Sequence, residues 1–184
     1  YLDIFHIPLD ACGKNLSAGT KSQLALTLAM AGRPELLILD EPTLGLDPLH
    51  RHQYLQFLLR EAAERDLTIL LASHDLHQIE RMADTVAILH QGKIVVHKPL
   101  DDLKEQVKRI RVGVNRISPE LSASFAKVPG VIRVLAEAGG YLLTTADAPQ
   151  TVPILHEIPE VQALQAVNLN LEEIFLAYVD GGEH

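Results

Sequence analysis

Two short, largely apolar runs, Leu36 to Asp40 and Leu67 to Ser73, alternate with segments of helical periodicity in the first part of the chain. Runs of this length between turn residues predict strands buried on both faces of a parallel sheet. Residues 1 to 15 predict a short helix and a loop. Ser17 then fits the N-cap of a helix reaching about Gly32, with Leu24, Leu28 and Ala31 on its inner face and Arg33-Pro34 as its stop. Thr43 to Pro48 is a loop, and a second helix from about Leu49 to Arg65 directs Leu55, Leu58, Leu59 and Ala62 inward. Strand, helix, strand in this order predicts a right-handed parallel crossover.

Beyond His74 the spacing predicts a short helix, Leu76 to Met82, then strands Thr85 to His90 and Lys93 to His97 turned by Gln91-Gly92, then a helix at Pro99 to Gln106. From Arg109 the elements shorten. Strands are expected at Ile110 to Val114, Val131 to Glu137, Tyr141 to Thr145 and Val161 to Asn168, with helices near Pro119 to Val128, Thr151 to Ile158 and Leu171 to Val179. Gly139-Gly140 is a hairpin signal. The fold class expected is α/β over residues 1–107, followed by a small α+β, ferredoxin-like domain over 108–184.

Composition narrows the function classes. The 184 residues, 47% of them hydrophobic, can bury a real core. A formal net charge of −8 argues against nucleic acid as a partner, because neutralising phosphates needs a basic face. The single Cys12 forms no intramolecular disulfide, and no apolar run approaches the ~20 residues that span a bilayer. Tyr1 begins inside an amphipathic pattern without an initiator methionine, so we expect a portion of a longer protein. His50 and His52 point to different helix faces and do not suggest zinc, while Asp101-Asp102 and Glu172-Glu173 read as solvated charges at helix starts.

The chemistry concentrates at the predicted strand ends. Asp40 and Glu41 close the first strand and His74 follows the second, at the edge of a parallel sheet where ligands bind. Asp40 is placed to serve Mg²⁺ and Glu41 to deprotonate a water. Taken alone, Asp40-Glu41-Pro42 is equally a solvated turn, and a lone His74 is more often a satisfied histidine; their spacing favours chemistry. Ser17 and Gly19 open a helix whose free N–H groups suit an anion, although the same residues describe an ordinary cap. A phosphate cradle of the form Gly, four residues, Gly-Lys-Ser/Thr is absent, and Cys12-Gly13-Lys14-Asn15 reads as a turn.

The ordered set Leu16-Ser17-Ala18-Gly19, Leu36 to Pro42, Gly45-Leu46-Asp47-Pro48 and Ser73-His74-Asp75 resembles the signature motif, Walker B segment, D-loop and switch histidine of ATP-binding cassette (ABC) transporter ATPases. Residues 1 to about 98 fit the second half of that domain, without its Walker A half. The tail Leu171-Glu172-Glu173-Ile174-Phe175-Leu176 is similar to the drug, antibiotic-resistance and multicopper-maturation export subclass. The resemblance implies ATP and Mg²⁺ as cofactors, with Ser17 and Gly19 contacting the γ-phosphate in trans, Asp40 serving Mg²⁺, Glu41 acting as base, Asp47 bridging a dimer interface and His74 sensing the γ-phosphate. It further implies a second nucleotide-binding domain, a transmembrane permease subunit, a cytoplasmic location on the inner face of the membrane, and an inactive chain when isolated. Thr20, and more mildly Ala18, depart from the family's Leu-Ser-Gly-Gly-Gln form. A soluble ABC-type ATPase of translation or DNA repair and a noncatalytic dimerisation module are the alternatives.

Overall fold

In the computed structural model the two apolar runs pair as parallel strands, β1 (Leu36–Asp40) and β2 (Thr68–Ala72), in register from Leu36 opposite Thr68 to Asp40 opposite Ala72. The structure describes Ile4, Phe5, Ile7 and residues 12–180, without the side chain of Asp180. The helix expected over the opening residues lies largely outside the described residues. The chain divides into two units, Tyr1–Asp75 and Leu76–His184.

In the first unit, helix α1 (Ala18–Ala31) precedes β1, and helix α2 (Pro48–Glu64) crosses from β1 to β2. Gly13–Asn15 forms a single 3₁₀ turn, in keeping with the turn reading. Two expectations about burial are corrected. The buried stripe of α1 is Gln23, Leu26, Thr27 and Met30, while Leu28 is exposed; almost every position of Leu24 to Ala31 is apolar, so periodicity could not choose a face. The α2 stripe is Tyr54, Phe57, Leu58 and Glu61, with Leu59 turned outward. Aromatic bulk sets that face, and Phe5 meets Phe57 edge-on with ring centroids 5.1 Å apart.

The parallel strands are covered on one face only. Leu37 is buried, but Leu36, Ile38 and Leu70 are 52%, 66% and 60% exposed. Successive side chains point to opposite faces of a strand, and no described residue covers the second face.

The second unit contains α3 (Leu76–Glu80), the antiparallel pair β3 (Thr85–His90) and β4 (Lys93–Pro99), and α4 (Leu100–Gln106). Gln91 and Gly92 turn the β3–β4 hairpin with φ of +48° and +75°, the left-handed pair that a tight hairpin needs. There follow β5 (Lys108–Val114), α5 (Pro119–Ala126), β6 (Val131–Glu137), β7 (Gly140–Thr145), α6 (Ala148–His156), β8 (Val161–Asn168) and α7 (Leu171–Asp180). The last four strands form one antiparallel sheet in the order β6-β7-β5-β8. Its core is Ile110, Val112, Phe125, Tyr141, Leu143 and Leu155.

The division after Asp75 lies ahead of the boundary expected near residue 108. Val86, Ile88, Val96, Leu100 and Leu103 share one buried cluster with Leu169, Leu171 and Ile174, so the hairpin and α4 pack on the start of α7. Polar contacts reinforce this join. Glu80 receives Lys104 Nζ at 2.7 Å and the Leu171 N–H at 3.3 Å. Glu173 is not merely a solvated charge: its carboxylate accepts from the Asn170 N–H while Asn170 Oδ1 accepts from the Glu173 N–H, and Arg109 lies 2.9 Å away. That reciprocal pair is a capping box.

Gly140 and Gly32 give opposite expectations on substitution. A Cβ on Gly140 would fall 1.9 Å from the Val112 carbonyl oxygen, so Gly140→Ala should lower stability by about 1–3 kcal/mol. Gly32 has φ −77° and open space, so Gly32→Ala should raise stability by roughly 0.4–1 kcal/mol. Urea unfolding of the two variants against the parent protein checks both signs.

Candidate functional site

The parallel ladder extends one step past β1, and this step builds the site. The Glu41 N–H donates to the Ala72 carbonyl at 2.9 Å, which sets Glu41 beside the residues that follow β2. Glu41 takes φ +43°, a left-handed conformation that is unfavourable for a residue with a Cβ and is seen mainly where surrounding contacts impose it. Those contacts are present. One carboxylate oxygen accepts from the His74 N–H and from His74 Nδ1, both at 2.7 Å, and the other accepts from the Ser73 hydroxyl at 3.3 Å.

These bonds hold the Glu41 carboxyl below the ordinary glutamate range, chiefly through the His74 ring, against a smaller opposing effect of desolvation. The sign follows directly. A depressed carboxyl contributes stability that is present above the unfolded-state pKa and is lost as pH falls through the folded-state value. The His74 ring is 74% exposed, so its outer side is open to a ligand while Nδ1 faces Glu41.

Asp40 stands apart. It is exposed at the end of β1, and its carboxylate has no protein partner among the described residues. A free carboxylate beside an occupied one fits a hard cation that takes few protein oxygens and completes its shell with water and phosphate. Glu41, already engaged by His74 and Ser73, suits proton transfer better than metal ligation.

Ser17, Gly19 and Asp47 form a second group. Ser17 caps α1, its Oγ accepting from the Thr20 N–H at 3.1 Å and lying 2.8 Å from the Thr20 hydroxyl. Gly19 lies against the next loop: a Cβ there would meet Leu46 at 3.4 Å and the His50 ring at 3.8 Å. Asp47 caps α2 by accepting from the Leu49 and His50 N–H groups at 3.0 and 3.1 Å, and it holds His50 Nδ1. The His50 amide, first, and then its ring lower the Asp47 pKa. No hydrogen bond joins Ser17 or Gly19 to Glu41 among the described residues.

Sequence reasoning left three of these participants without a role. Ser73 was part of a motif, His50 was weighed only as a zinc ligand, and Arg51 was not singled out. Arg51 Nη1 meets Asp75 Oδ2 at 3.1 Å, and the Asp75 N–H donates to Ser73 Oγ at 3.1 Å. The spacing from Asp47 to His50 and Arg51, one helical turn after a cap, was the available signal.

The chain resembles several known proteins. A family model described as "AAA domain, putative AbiEii toxin, Type IV TA system" matches residues 14–80. The ABC transporter ATP-binding protein YtrB of Bacillus subtilis (strain 168) is 34% identical over 179 residues, covering 96% of this chain and 59% of that protein. The bacitracin transport ATP-binding protein BcrA of Bacillus licheniformis is 42% identical over 93 residues, covering 50% of this chain and 30% of its own length. A solved ATP-binding subunit of an ABC transporter superposes with a TM-score of 0.52 at 35% identity, over 56% of this chain and 44% of that one. The chain is a homologue of ABC transporter ATP-binding proteins, and the superposed part has the α/β fold of their ATPase domains. It spans less than two thirds of the length of these relatives.

The Glu41 environment can be tested by itself. Carbon-detected NMR titration should place the Glu41 carboxyl midpoint below that of an ordinary glutamate, and His74→Ala should raise it toward the ordinary value. An unchanged midpoint in that variant would show that the ring bond does not stabilise the carboxylate.

Proposed function

We propose that this chain is part of an ATP-hydrolysing subunit of a membrane exporter, with turnover driven by head-to-tail pairing with a second nucleotide-binding domain. The observation that carries the reading is the Glu41 carboxylate fixed by His74 and Ser73 at the strand ends, next to the free carboxylate of Asp40. Homology to transporter ATP-binding proteins supports the reaction class, and similarity to BcrA, a bacitracin transport ATP-binding protein, supports a role in transport.

The roles follow from position. Asp40 would hold Mg²⁺, which when bound supplies charge neutralisation on the phosphates. Glu41 orients a water and takes its proton, with the His74 ring, and to a lesser extent its backbone N–H, keeping the carboxylate ionised and aimed. His74 presents its exposed ring edge to the terminal phosphate. The cap of α1, Ser17 with Gly19, offers N–H groups and a close backbone approach to the phosphate bound by the partner domain. Asp47, locked to the start of α2, meets the partner across the interface.

Residues 108–184 form a regulatory or dimerising module, and the βαββαβ order with sheet order β6-β7-β5-β8 supports the ferredoxin-like reading. The membrane-crossing part belongs to a permease subunit, a reading supported by similarity to ABC transporter ATP-binding proteins; no helix among the described residues is long and apolar enough to span a bilayer. The subunit then works from the cytoplasmic face. This sequence holds no phosphate-cradling loop, so the isolated chain is expected not to turn over ATP.

In the intact protein carrying this chain, Glu41→Gln should lower ATP turnover by ~10²–10⁴-fold while leaving ATP-dependent pairing of the domains intact. Steady-state phosphate release and sizing with ATP and Mg²⁺ measure the two. Turnover at the wild-type rate in Glu41→Gln overturns the assignment of the base.

A further inference from the structure

Building on that reading, we propose that Arg51 is a positioning residue for Glu41, coupling the opening turn of α2 to the base through a relay of three contacts. Arg51 Nη1 holds Asp75 Oδ2 at 3.1 Å; the Asp75 N–H holds Ser73 Oγ at 3.1 Å; the Ser73 hydroxyl donates to Glu41 Oε2 at 3.3 Å. Each contact constrains the next. With its oxygen occupied by the Asp75 amide, the Ser73 hydroxyl has its hydrogen directed to Glu41, and the two Glu41 oxygens are then held from separate sides by Ser73 and His74.

The other end of the relay is equally fixed. Arg51 follows His50, whose amide and ring both bind Asp47, so the guanidinium projects from a turn that the Asp47 cap immobilises. Arg51 Nε is buried without a hydrogen-bond partner among the described residues, which leaves Asp75 as the group that holds this cation. A buried donor left unsatisfied costs free energy. A displacement of the Asp47 turn, such as contact with a second domain would cause, therefore reaches Glu41 through Arg51, Asp75 and Ser73.

The test uses the intact protein carrying this chain, with Arg51→Ala, Arg51→Lys, Asp75→Asn and the Arg51→Ala/Asp75→Asn double variant. Amide hydrogen exchange and ATP turnover are read in parallel. Arg51→Ala should lower kcat roughly 10- to 100-fold with KM for ATP little changed, because the geometry at Glu41 and not ground-state binding is lost. Lys at this position keeps a charge within reach of Asp75 and should recover most of kcat. Asp75→Asn approaches the same contact from the other side, and the double variant should be no worse than the single ones.

Exchange at the His74 and Asp75 amides should quicken in Arg51→Ala, with the β1 and β2 amides unchanged. Wild-type kcat in Arg51→Ala, or equal damage in the Lys variant, overturns the proposal while a dead Glu41→Gln leaves the ATPase reading standing. Should the wild-type protein hydrolyse no ATP, that reading fails by itself. The exchange measurement then decides the relay: undisturbed His74 and Asp75 amides in Arg51→Ala overturn it.

Discussion

One carboxylate, that of Glu41, gathers the polar contacts at the strand ends of the first unit. It is held by groups from across the sheet, the His74 amide and ring and the Ser73 hydroxyl, and it is carried on a residue with φ +43°. The strain and the bonds explain each other. A left-handed backbone at a residue with a Cβ is unfavourable, and charge-assisted bonds, stronger than neutral ones, offset it. The parallel pairing of β1 with β2 is what brings the two sides together, since the ladder bond from Glu41 to Ala72 fixes how far past the strand each chain runs.

The second unit shows a different economy of contacts. Its four-stranded antiparallel sheet closes a core under α5 and α6, with Phe125 and Tyr141 edge-on at 5.1 Å and the Tyr141 hydroxyl satisfied by the Ser118 backbone. A second cluster lies under the β3–β4 hairpin, where α4 and α7 converge. Motif order assigns the hairpin to the nucleotide-binding part, yet its side chains pack on the terminal helix. Burial follows nearest apolar surface, whatever motif a segment belongs to.

Most element positions were legible from the sequence, and the reason differs by element. The strands β6 and β8 match their expected limits because β-branched and aliphatic residues sit between unmistakable turns at Pro129-Gly130, Gly139-Gly140 and Pro159. Helix faces were harder. In α1 the run Leu24 to Ala31 offers no polar contrast, and in α2 the decisive residues were Tyr54 and Phe57, whose size outweighs the leucines around them. Exposure of Leu36, Ile38 and Leu70 could not be read either, because an apolar strand has the same composition whether one face or both are covered.

The site divides along the same line. Asp40, Glu41 and His74 were visible because strand ends are marked by an abrupt change from apolar to charged residues, and Ser17 because a cap has a local signature, whereas Asp47 was singled out only by its place in the Gly45-Leu46-Asp47-Pro48 motif and its capping of α2 was not foreseen. Arg51 and the hydroxyl of Ser73 act through partners 24 and 32 residues away in sequence, and no local pattern encodes such pairs. What the strand ends advertise is the carboxylate itself; the contacts that hold it come from the loop after β2, to which the first turn of the crossover helix is joined through Arg51 and Asp75. Two separately capped elements, α2 at Asp47 and the loop at Ser73, are thereby tied to one carboxylate. By the proposed relay, a change at either cap is passed on to the Glu41 carboxylate, which ties its orientation to the position of the opening turn of α2.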